Sequence, residues 1–578
     1  MKNAVYVFVL LFFSCQKGEN PNEATPKPKD KLSSLSKKDE DTTVSEDTRV
    51  KDTKQLEKSY SYGLPLDGPL RVSGTFAELR RTHFHAGIDL RTNGVEGKDV
   101  FAIDKAFVAR IKVSPYGYGK ALYLQHPDGN MSVYGHLSKF SEKIESYVRT
   151  EQYRTKKNEG TFYLKPNQIK VAGREVIAKS GNTGGSAAPH LHFEIRKSSG
   201  EAINPLSYFS IEDTLKPVIK SIGIVPLDDQ NERNPKVIAK SNLQNQSFSM
   251  PPGMYGVSAY WSDYFLDFNN KLGVNKVKFL TDGKLAFQID IKDFQFHLGK
   301  YINLHTNFSL KNSIGLSFTN LYVVPGNKLP YYQGEGKILL KEGQETKLQV
   351  LVEDENKNMD QLTFYLKGQN IPNPFKKRYV YGDHFDLGKK EKWSNKNAQF
   401  YCKKHAALEE KTVGINFDTT LDILRILPND VPLKIPVLVK IKANNFKEEE
   451  YKFLLMGRKS GNTYESIGGY CKDGWVIAQS SSLGTFKILK DDQAPEIKNI
   501  KVVGDELFIK IKDNLSGIKD YEVKINGQWF RVYYEKKRDL LIGQLGDLQL
   551  NQNLRVEISV TDNKFNKTVN KKNLIWQH

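Results

Sequence analysis

The chain is 578 residues long, 39% hydrophobic and 26% charged, values of an ordinary folded protein that exclude a wholly disordered chain. Its net charge of +19 is spread along the sequence instead of forming a stripe, which argues against nucleic acid as a partner and is compatible with an anionic polymer. The length predicts about three or four domains, and 31 Phe with 28 Tyr favour strands.

At the N-terminus Lys2 precedes an apolar run over residues 4–13, too short to cross a bilayer. Ser14-Cys15 follows. The pattern looks like a bacterial lipoprotein signal over residues 1–15, with Cys15 lipidated after cleavage. Phe12 and Phe13 make the box loose, and an ordinary secretory signal is the alternative. Residues 16–58 mix Pro, Ser and Thr with ten basic and ten acidic residues, so they cannot bury a core and should form a disordered tether reaching ~35 Å. The expected location is the cell envelope, lipid-anchored to a bacterial membrane, on the periplasmic face of the outer membrane.

Residues 68–112 read as short strands joined by glycine turns. Within them Arg81-Thr82-His83-Phe84-His85-Ala86-Gly87-Ile88-Asp89-Leu90 offers His85 and Asp89, four apart and on one face of a strand or helix. Gly87 is expected to keep the approach to an ion open. Residues 121–126 and 131–136 flank Pro127-Asp128-Gly129-Asn130, a hairpin signal, and His136 stands at its far end in Tyr134-Gly135-His136-Leu137. His126 is expected to be a structural hairpin residue. Residues 141–153 suggest a helix with Ile144, Tyr147 and Val148 on one side, an insertion that either walls a groove or packs beside it.

Strands resume from residue 169 and lead into Gly181-Asn182-Thr183-Gly184-Gly185-Ser186-Ala187-Ala188-Pro189, a turn-rich loop. The next stretch, His190-Leu191-His192-Phe193-Glu194-Ile195-Arg196, alternates. On a strand His190, His192, Glu194 and Arg196 point one way, and Leu191, Phe193 and Ile195 form the core face. A catalytic zinc takes three protein ligands and leaves one position to water. His85, Asp89 and His192 make such a set, leaving His136 and His190 as acid, base or oxyanion groups.

The motifs His-x-x-x-Asp, Tyr-Gly-His-Leu and His-Leu-His-Phe-Glu, in that order, resemble the lysostaphin-like (LytM-type) zinc metallopeptidases, which cut peptide bonds in bacterial peptidoglycan. The resemblance covers residues 60–208. It implies a mainly β fold, with an antiparallel-sheet lysostaphin-like (duplicated hybrid motif) domain over residues 59–208, one Zn2+ per chain, peptidoglycan as substrate and metalloendopeptidase activity. Ala188 stands where the family usually has Gly, a change that narrows the groove without removing a ligand. No glutamate zinc-protease motif is present, so the general base is expected to be a histidine. His190 is preferred because it shares a strand with His192. The alternative is a catalytically silent relative that binds peptidoglycan or activates another hydrolase; all five residues are present here, which favours activity.

Beyond residue 208 the chain repeats itself. Phe209-x-Ile211, Asp213, Pro217-x-Ile219 is echoed by Phe486-x-Ile488, Asp491, Pro495-x-Ile497, and Val352-x-Asp354-x-x-x-Asn358 by Val560-x-Asp562-x-x-x-Asn566. These predict an immunoglobulin-like β-sandwich over residues 491–578 and an enlarged β-sandwich module over 209–370; residues 371–490, of which the repeat reaches only the end, are expected to form a further β module. Asp354 and Asp562 read as turn formers in preference to ion ligands. Whether Cys402 and Cys471 pair is open. No motif in this half carries evident chemistry.

Overall fold

The computed structural model describes residues 62–228, 234–265, 271–274, 276–548 and 552–576; the expected signal and tether lie outside them. The protein is mainly β, with 48% of residues in strands and 10% in helices. Its sheets are antiparallel except where Ser247–Met250 runs parallel to the end of Met359–Gly368.

The first part is built on a ten-stranded sheet. Its strands are β1 (Val72–Gly74), β2 (Ile88–Arg91), β4 (Ala106–Val113), β5 (Lys120–Gln125), β6 (Met131–Leu137), β8 (Gly160–Tyr163), β9 (Lys170–Val171), β11 (His190–Arg196) and β12 (Ala202–Ile203), in the order β1-β2-β11-β6-β5-β4-β8, with β9 beside β4 and β12 beside β11. The tenth strand, Asp293–Phe294, is lent by the following module and pairs with β12. A three-stranded sheet of β3 (Asp99–Phe101), β10 (Val176–Lys179) and β7 (Lys139–Phe140) packs beside it.

Alternation along β11 has the expected result. Leu191, Phe193 and Ile195 are fully buried in one core with Ile88, Leu90, Leu122 and Tyr134, which leaves the histidines on the other face. Register does the rest. β11 lies between β2 and β6, with His192 opposite Asp89 on one side and Gly135 on the other.

The expected helix is α1 (Glu142–Thr155), with Ile144 and Val148 buried. Its buried polar residues, Glu145 and Gln152, face a later module instead of a groove.

Three further groups of strands follow. Two six-stranded sheets between residues 218 and 368 share a core that includes Phe279, Phe287, Leu348 and Phe364, together with Phe76 and Phe84 from the first part. A six- and a five-stranded sheet between residues 383 and 490 enclose Phe385, Phe400 and Phe486. Cys402 and Cys471 belong to this group, and both are free thiols. Two four-stranded sheets between residues 496 and 575 form the last sandwich. Among the described residues no helix is long and apolar enough to cross a membrane.

Candidate active site

His85, Asp89 and His192 are each buried, and one ligand atom from each gathers at a point. His85 Nε2 is 3.0 Å from Asp89 Oδ1 and 3.0 Å from His192 Nδ1, and His192 Nδ1 is 2.9 Å from Asp89 Oδ1. Tetrahedral ligands at the zinc distances of ~2.0–2.1 Å stand ~3.3 Å apart, so the three atoms need only spread by a few tenths of an ångström.

The outer hydrogen bonds fix which atoms face inward. His85 Nδ1 donates to the Thr75 carbonyl at 2.7 Å, which turns its Nε2 lone pair towards Asp89. His192 Nε2 donates to Glu194 Oε1 at 2.8 Å, which turns its Nδ1 inward. Glu194 is fully buried. Its Oε1 also accepts from Tyr118, and its Oε2 accepts from Arg196 Nε at 2.6 Å. The Tyr118 ring stacks on His192 with centroids 4.9 Å apart. Arg80 Nη2 donates to Asp89 Oδ2 at 2.7 Å, leaving Oδ1 for the cluster. Ligand imidazoles backed by carboxylate or carbonyl acceptors are the usual second layer of a metal site.

The electrostatics also suit a cation. Burial opposes charge on Asp89, yet His85, His190 and His192 hold its carboxyl well below the usual carboxylate range. Glu194 is held at about 2 against burial, chiefly by Arg196 and then His192. Burial lowers His85. His192 is instead raised to about 9, because Asp89 and Glu194 outweigh its burial. The proton that Asp89 and Glu194 favour on His192 sits where three nitrogen and oxygen atoms lie within 3.0 Å of one another; a divalent metal would supply the same positive charge at that point in place of the proton, so the donor set fits one.

His136 and His190 stand side by side, ring centroids 4.8 Å apart, beside this cluster. His190 Nδ1 donates to the Ala188 carbonyl at 2.8 Å, so its Nε2 faces Asp89 Oδ1, 3.4 Å away. His136 Nδ1 donates to the Thr183 carbonyl at 2.8 Å. Its backbone is left-handed, with φ 59°, an uncommon state for a side chain of this size and one typical of functional positions. Burial, then His190 and His192, pushes its pKa far down, so it stays neutral.

Gly87 corrects one expectation. A Cβ there would lie 2.0 Å from the Phe193 carbonyl oxygen and 2.8 Å from Glu194 Cγ. The glycine lets β2 and β11 approach each other; it does not clear a path to the ion. His126, as expected, is structural: its Nε2 meets Ser132 Oγ at 2.7 Å. Cys15 lies outside the described residues.

The loop before β11 is gripped from afar. Lys537 of the last sandwich donates to Ser186 O at 2.9 Å, to Asn182 Oδ1 at 3.0 Å and to Asn182 O. Tyr533 Oη accepts from Gly184 N at 3.2 Å and donates to the Ser114 carbonyl at 3.1 Å. Arg531 Nη1 donates to Glu145 at 2.6 Å and Gln152 at 3.1 Å on α1. The loop on the other side, which carries His85, is seated in the second module. There Phe76 stacks on Phe294 at 5.3 Å, and Thr75 exchanges hydrogen bonds with Gly273. Sequence reasoning missed Arg80, Tyr118, Tyr533 and Lys537. It placed Glu194 on the correct face but gave it no partner.

An antiparallel sheet carrying a buried His-Asp-His group and two adjoining imidazoles defines a metallopeptidase class of site. Residues 83–153 match peptidase family M23, so the chain carries an M23 peptidase domain of the lysostaphin (LytM) type; residues 389–491 match a Zu5-like domain. The chain is 33% identical over 129 residues to the DD-carboxypeptidase/endopeptidase Mpg of Neisseria meningitidis, covering 22% of this chain and 24% of that protein. It is 33% identical over 149 residues to an uncharacterized metalloprotease of Haemophilus influenzae, covering 25% and 26%. It is 30% identical over 167 residues to lysostaphin of Staphylococcus simulans, covering 29% and 25%. The matched region thus spans about a quarter of each relative. Among solved structures, the catalytic domain of that lysostaphin is 26% identical, over 23% of this chain and 87% of that one, with a TM-score of 0.18.

Proposed function

We propose that the protein is a zinc-dependent endopeptidase that hydrolyses peptide cross-links or stem peptides of bacterial peptidoglycan. The observation that carries this reading is the convergence of His85 Nε2, Asp89 Oδ1 and His192 Nδ1 beside the imidazoles of His136 and His190. The three residues would hold the ion. When bound, zinc supplies Lewis acidity to the scissile carbonyl and makes a water acidic enough to be activated near neutral pH.

The chain's own groups do the rest. His190, with its Nδ1 proton committed to Ala188 O, has Nε2 free to take a proton from the attacking water. His136 is held by Thr183 O, which leaves its Nε2 lone pair facing the same space, where it would orient the attacking water by accepting a hydrogen bond, while the proton that His190 takes from that water passes to the leaving amine. Arg80 holds Asp89 Oδ2 and so fixes the carboxylate rotamer. The basic excess of the chain favours an anionic wall polymer, and a lipid on Cys15 would keep the enzyme at the envelope near it.

The test is digestion of purified peptidoglycan, with zinc content measured beside the rate. His136→Ala and His190→Ala should keep zinc and lose roughly 10²–10⁴-fold in rate; His85→Ala and His192→Ala should lose both. Wild-type protein that holds zinc yet releases no fragments would favour the alternative, a silent wall-binding or hydrolase-activating relative. Cys15→Ser should leave the membrane fraction.

A further inference from the structure

Two clusters of aspartates lie outside the peptidase site. Asp491, Asp513 and Asp562 each bring a carboxylate oxygen within 4.8 Å of the others, and so do Asp213, Asp263 and Asp354. The sequence repeat links the two clusters. Asn358 Nδ2 bridges Asp354 Oδ2 and the Asp213 carbonyl at 2.9 and 3.0 Å, and Asn566 Nδ2 bridges Asp562 Oδ2 and the Asp491 carbonyl at 2.8 and 3.0 Å. Both closing turns carry a left-handed residue, Lys357 at φ 68° and Phe565 at φ 66°. Asp354 and Asp562 are therefore turn formers, as expected, but their carboxylates also face two more acids. The third member of each cluster enters on or just after the strand that pairs with the module's first strand: Asp263 within Gly253–Tyr264, and Asp513 just past Glu506–Lys512.

Burial makes these clusters costly as they stand. Asp491 and Asp562 are fully buried, and Asp213, Asp263 and Asp354 are 8%, 2% and 8% exposed. Backbone amides satisfy only part of each carboxylate. Asp491 Oδ2 accepts from Ser516 N at 2.9 Å, and Asp513 Oδ2 accepts from Leu515 N and Gly517 N at 3.1 and 2.6 Å. Asp491 Oδ1, Asp513 Oδ1 and Ser516 Oγ are buried and have no hydrogen-bond partner. Among the described residues none of the six aspartates forms a salt bridge. Lys564 is adjacent, but its amine donates to the Leu454 and Gly469 carbonyls of the preceding module. In the Asp491, Asp513 and Asp562 triad the unpartnered oxygens are unfavourable unless a cation joins them, and the Asp213, Asp263 and Asp354 triad repeats its arrangement.

We infer that each of these two modules binds one hard divalent cation of calcium size through its three aspartates. Oxygen-only donors without nitrogen or sulfur exclude a zinc preference. Calcium sits ~2.3–2.6 Å from its oxygens, so ligands on opposite sides of it are ~4.6–5.2 Å apart, and three oxygens within 4.8 Å are within reach of one ion. Backbone carbonyls and water complete its flexible shell, whereas magnesium demands near-ideal octahedral geometry. Position gives the ions a task. Asp213 follows the peptidase part directly, and Asp491 N donates to Phe453 O of the preceding module at 3.0 Å, so each ion would stiffen a junction between consecutive units.

The discriminating variants are Asp513→Asn and Asp263→Asn. In the first, the amide oxygen can keep the two backbone bonds while its NH2 meets the unpartnered oxygen of Asp491. Binding of labelled calcium to the zinc-loaded mature chain at about 1 mM free calcium, the range of extracellular calcium modules, should give two ions per chain. One should remain in either variant and none in the double variant. Thermal unfolding should shift upward with calcium in the wild type and not in the double variant, while without calcium the variants should be as stable as the wild type or more so. Three results would overturn the inference: a folded wild type that binds no calcium, a double variant that keeps two ions, or magnesium bound at the same stoichiometry in preference to calcium.

Discussion

Replacing Glu194 with glutamine isolates the hydrogen bond that aims His192. The carboxylate is fully buried and serves three donors, with His192 Nε2 and Tyr118 on Oε1 and Arg196 on Oε2. Glutamine offers one oxygen. If that oxygen faces His192 and Tyr118, the amide NH2 points at the Arg196 guanidinium; if it faces Arg196, the NH2 points at the His192 N–H. Either way one donor meets another, and the negative charge that makes the His192 ring a better ligand is gone. Losing such an outer acceptor typically costs 10–100-fold in metal affinity, or about 1.4–2.7 kcal/mol. The fold itself loses up to about 3–5 kcal/mol through the stranded Arg196, so the measurement is made on protein shown to be folded by circular dichroism. Competition with a zinc-chelating dye at neutral pH reads the affinity, and peptidoglycan cleavage at saturating zinc reads the rate. The rate should recover more fully than the affinity. A folded Glu194→Gln protein whose zinc affinity stays within about twofold of the wild type, well inside the expected loss, would show that Glu194 does not support the metal position.

Gly87→Ala, whose new Cβ would stand 2.0 Å from Phe193 O, should destabilise the protein by at least about 3 kcal/mol in denaturant unfolding; an unchanged midpoint refutes the close approach of β2 and β11. Lys537→Met removes the ammonium bonded to Asn182 and Ser186. It should keep zinc and lower the rate by about 10–100-fold, because the loop that supplies Thr183 O to His136 loses its brace; a wild-type rate refutes the coupling. His305 is buried against Tyr332 and pushed by burial to about 3. The unfolded chain therefore binds a proton that the native state refuses, and stability is lost as pH falls from about 6.5 towards 3, by roughly 1.4 kcal/mol per unit. A His305→Gln protein should show a shallower acid slope, and equal slopes for the two proteins count against this assignment.

The features that follow short-range rules could be read from the sequence. Alternation on β11 separates Leu191, Phe193 and Ile195 from the histidines because side chains on a strand repeat every two residues. The spacing of His85 and Asp89 puts them on one face, and the signals for the hairpin and for α1 are local. What escaped reading depends on tertiary register. Nothing near Arg80 announces that it will meet Asp89 Oδ2, since that contact exists only once β1 and β2 pair. The left-handed backbone at His136 has no sequence signature, unlike a glycine. Asp263 and Asp513 share no spacing with the repeated Asp-x-x-x-Asn pattern, because they enter from strands of different length and connection. The seat of α1 on the last sandwich rests on single contacts such as Arg531 with Glu145, which no periodicity encodes.

The grip of the last sandwich on the loop before β11 also sets an order in time. Gly184 and Tyr533 are 349 residues apart, and Ser186 and Lys537 are 351 apart. At ~5–20 residues per second of synthesis, the loop is made roughly 20–70 s before the residues that clasp it exist. Until then Asn182 and Ser186 lack their ammonium partner, and Glu145 and Gln152 on α1 lack Arg531. A nascent chain can thus carry every candidate metal ligand and both candidate catalytic histidines while the loop before β11 is still unfastened. Such a chain comes of age last at its far end, so one cut short before residue 531 would be slack at its candidate site.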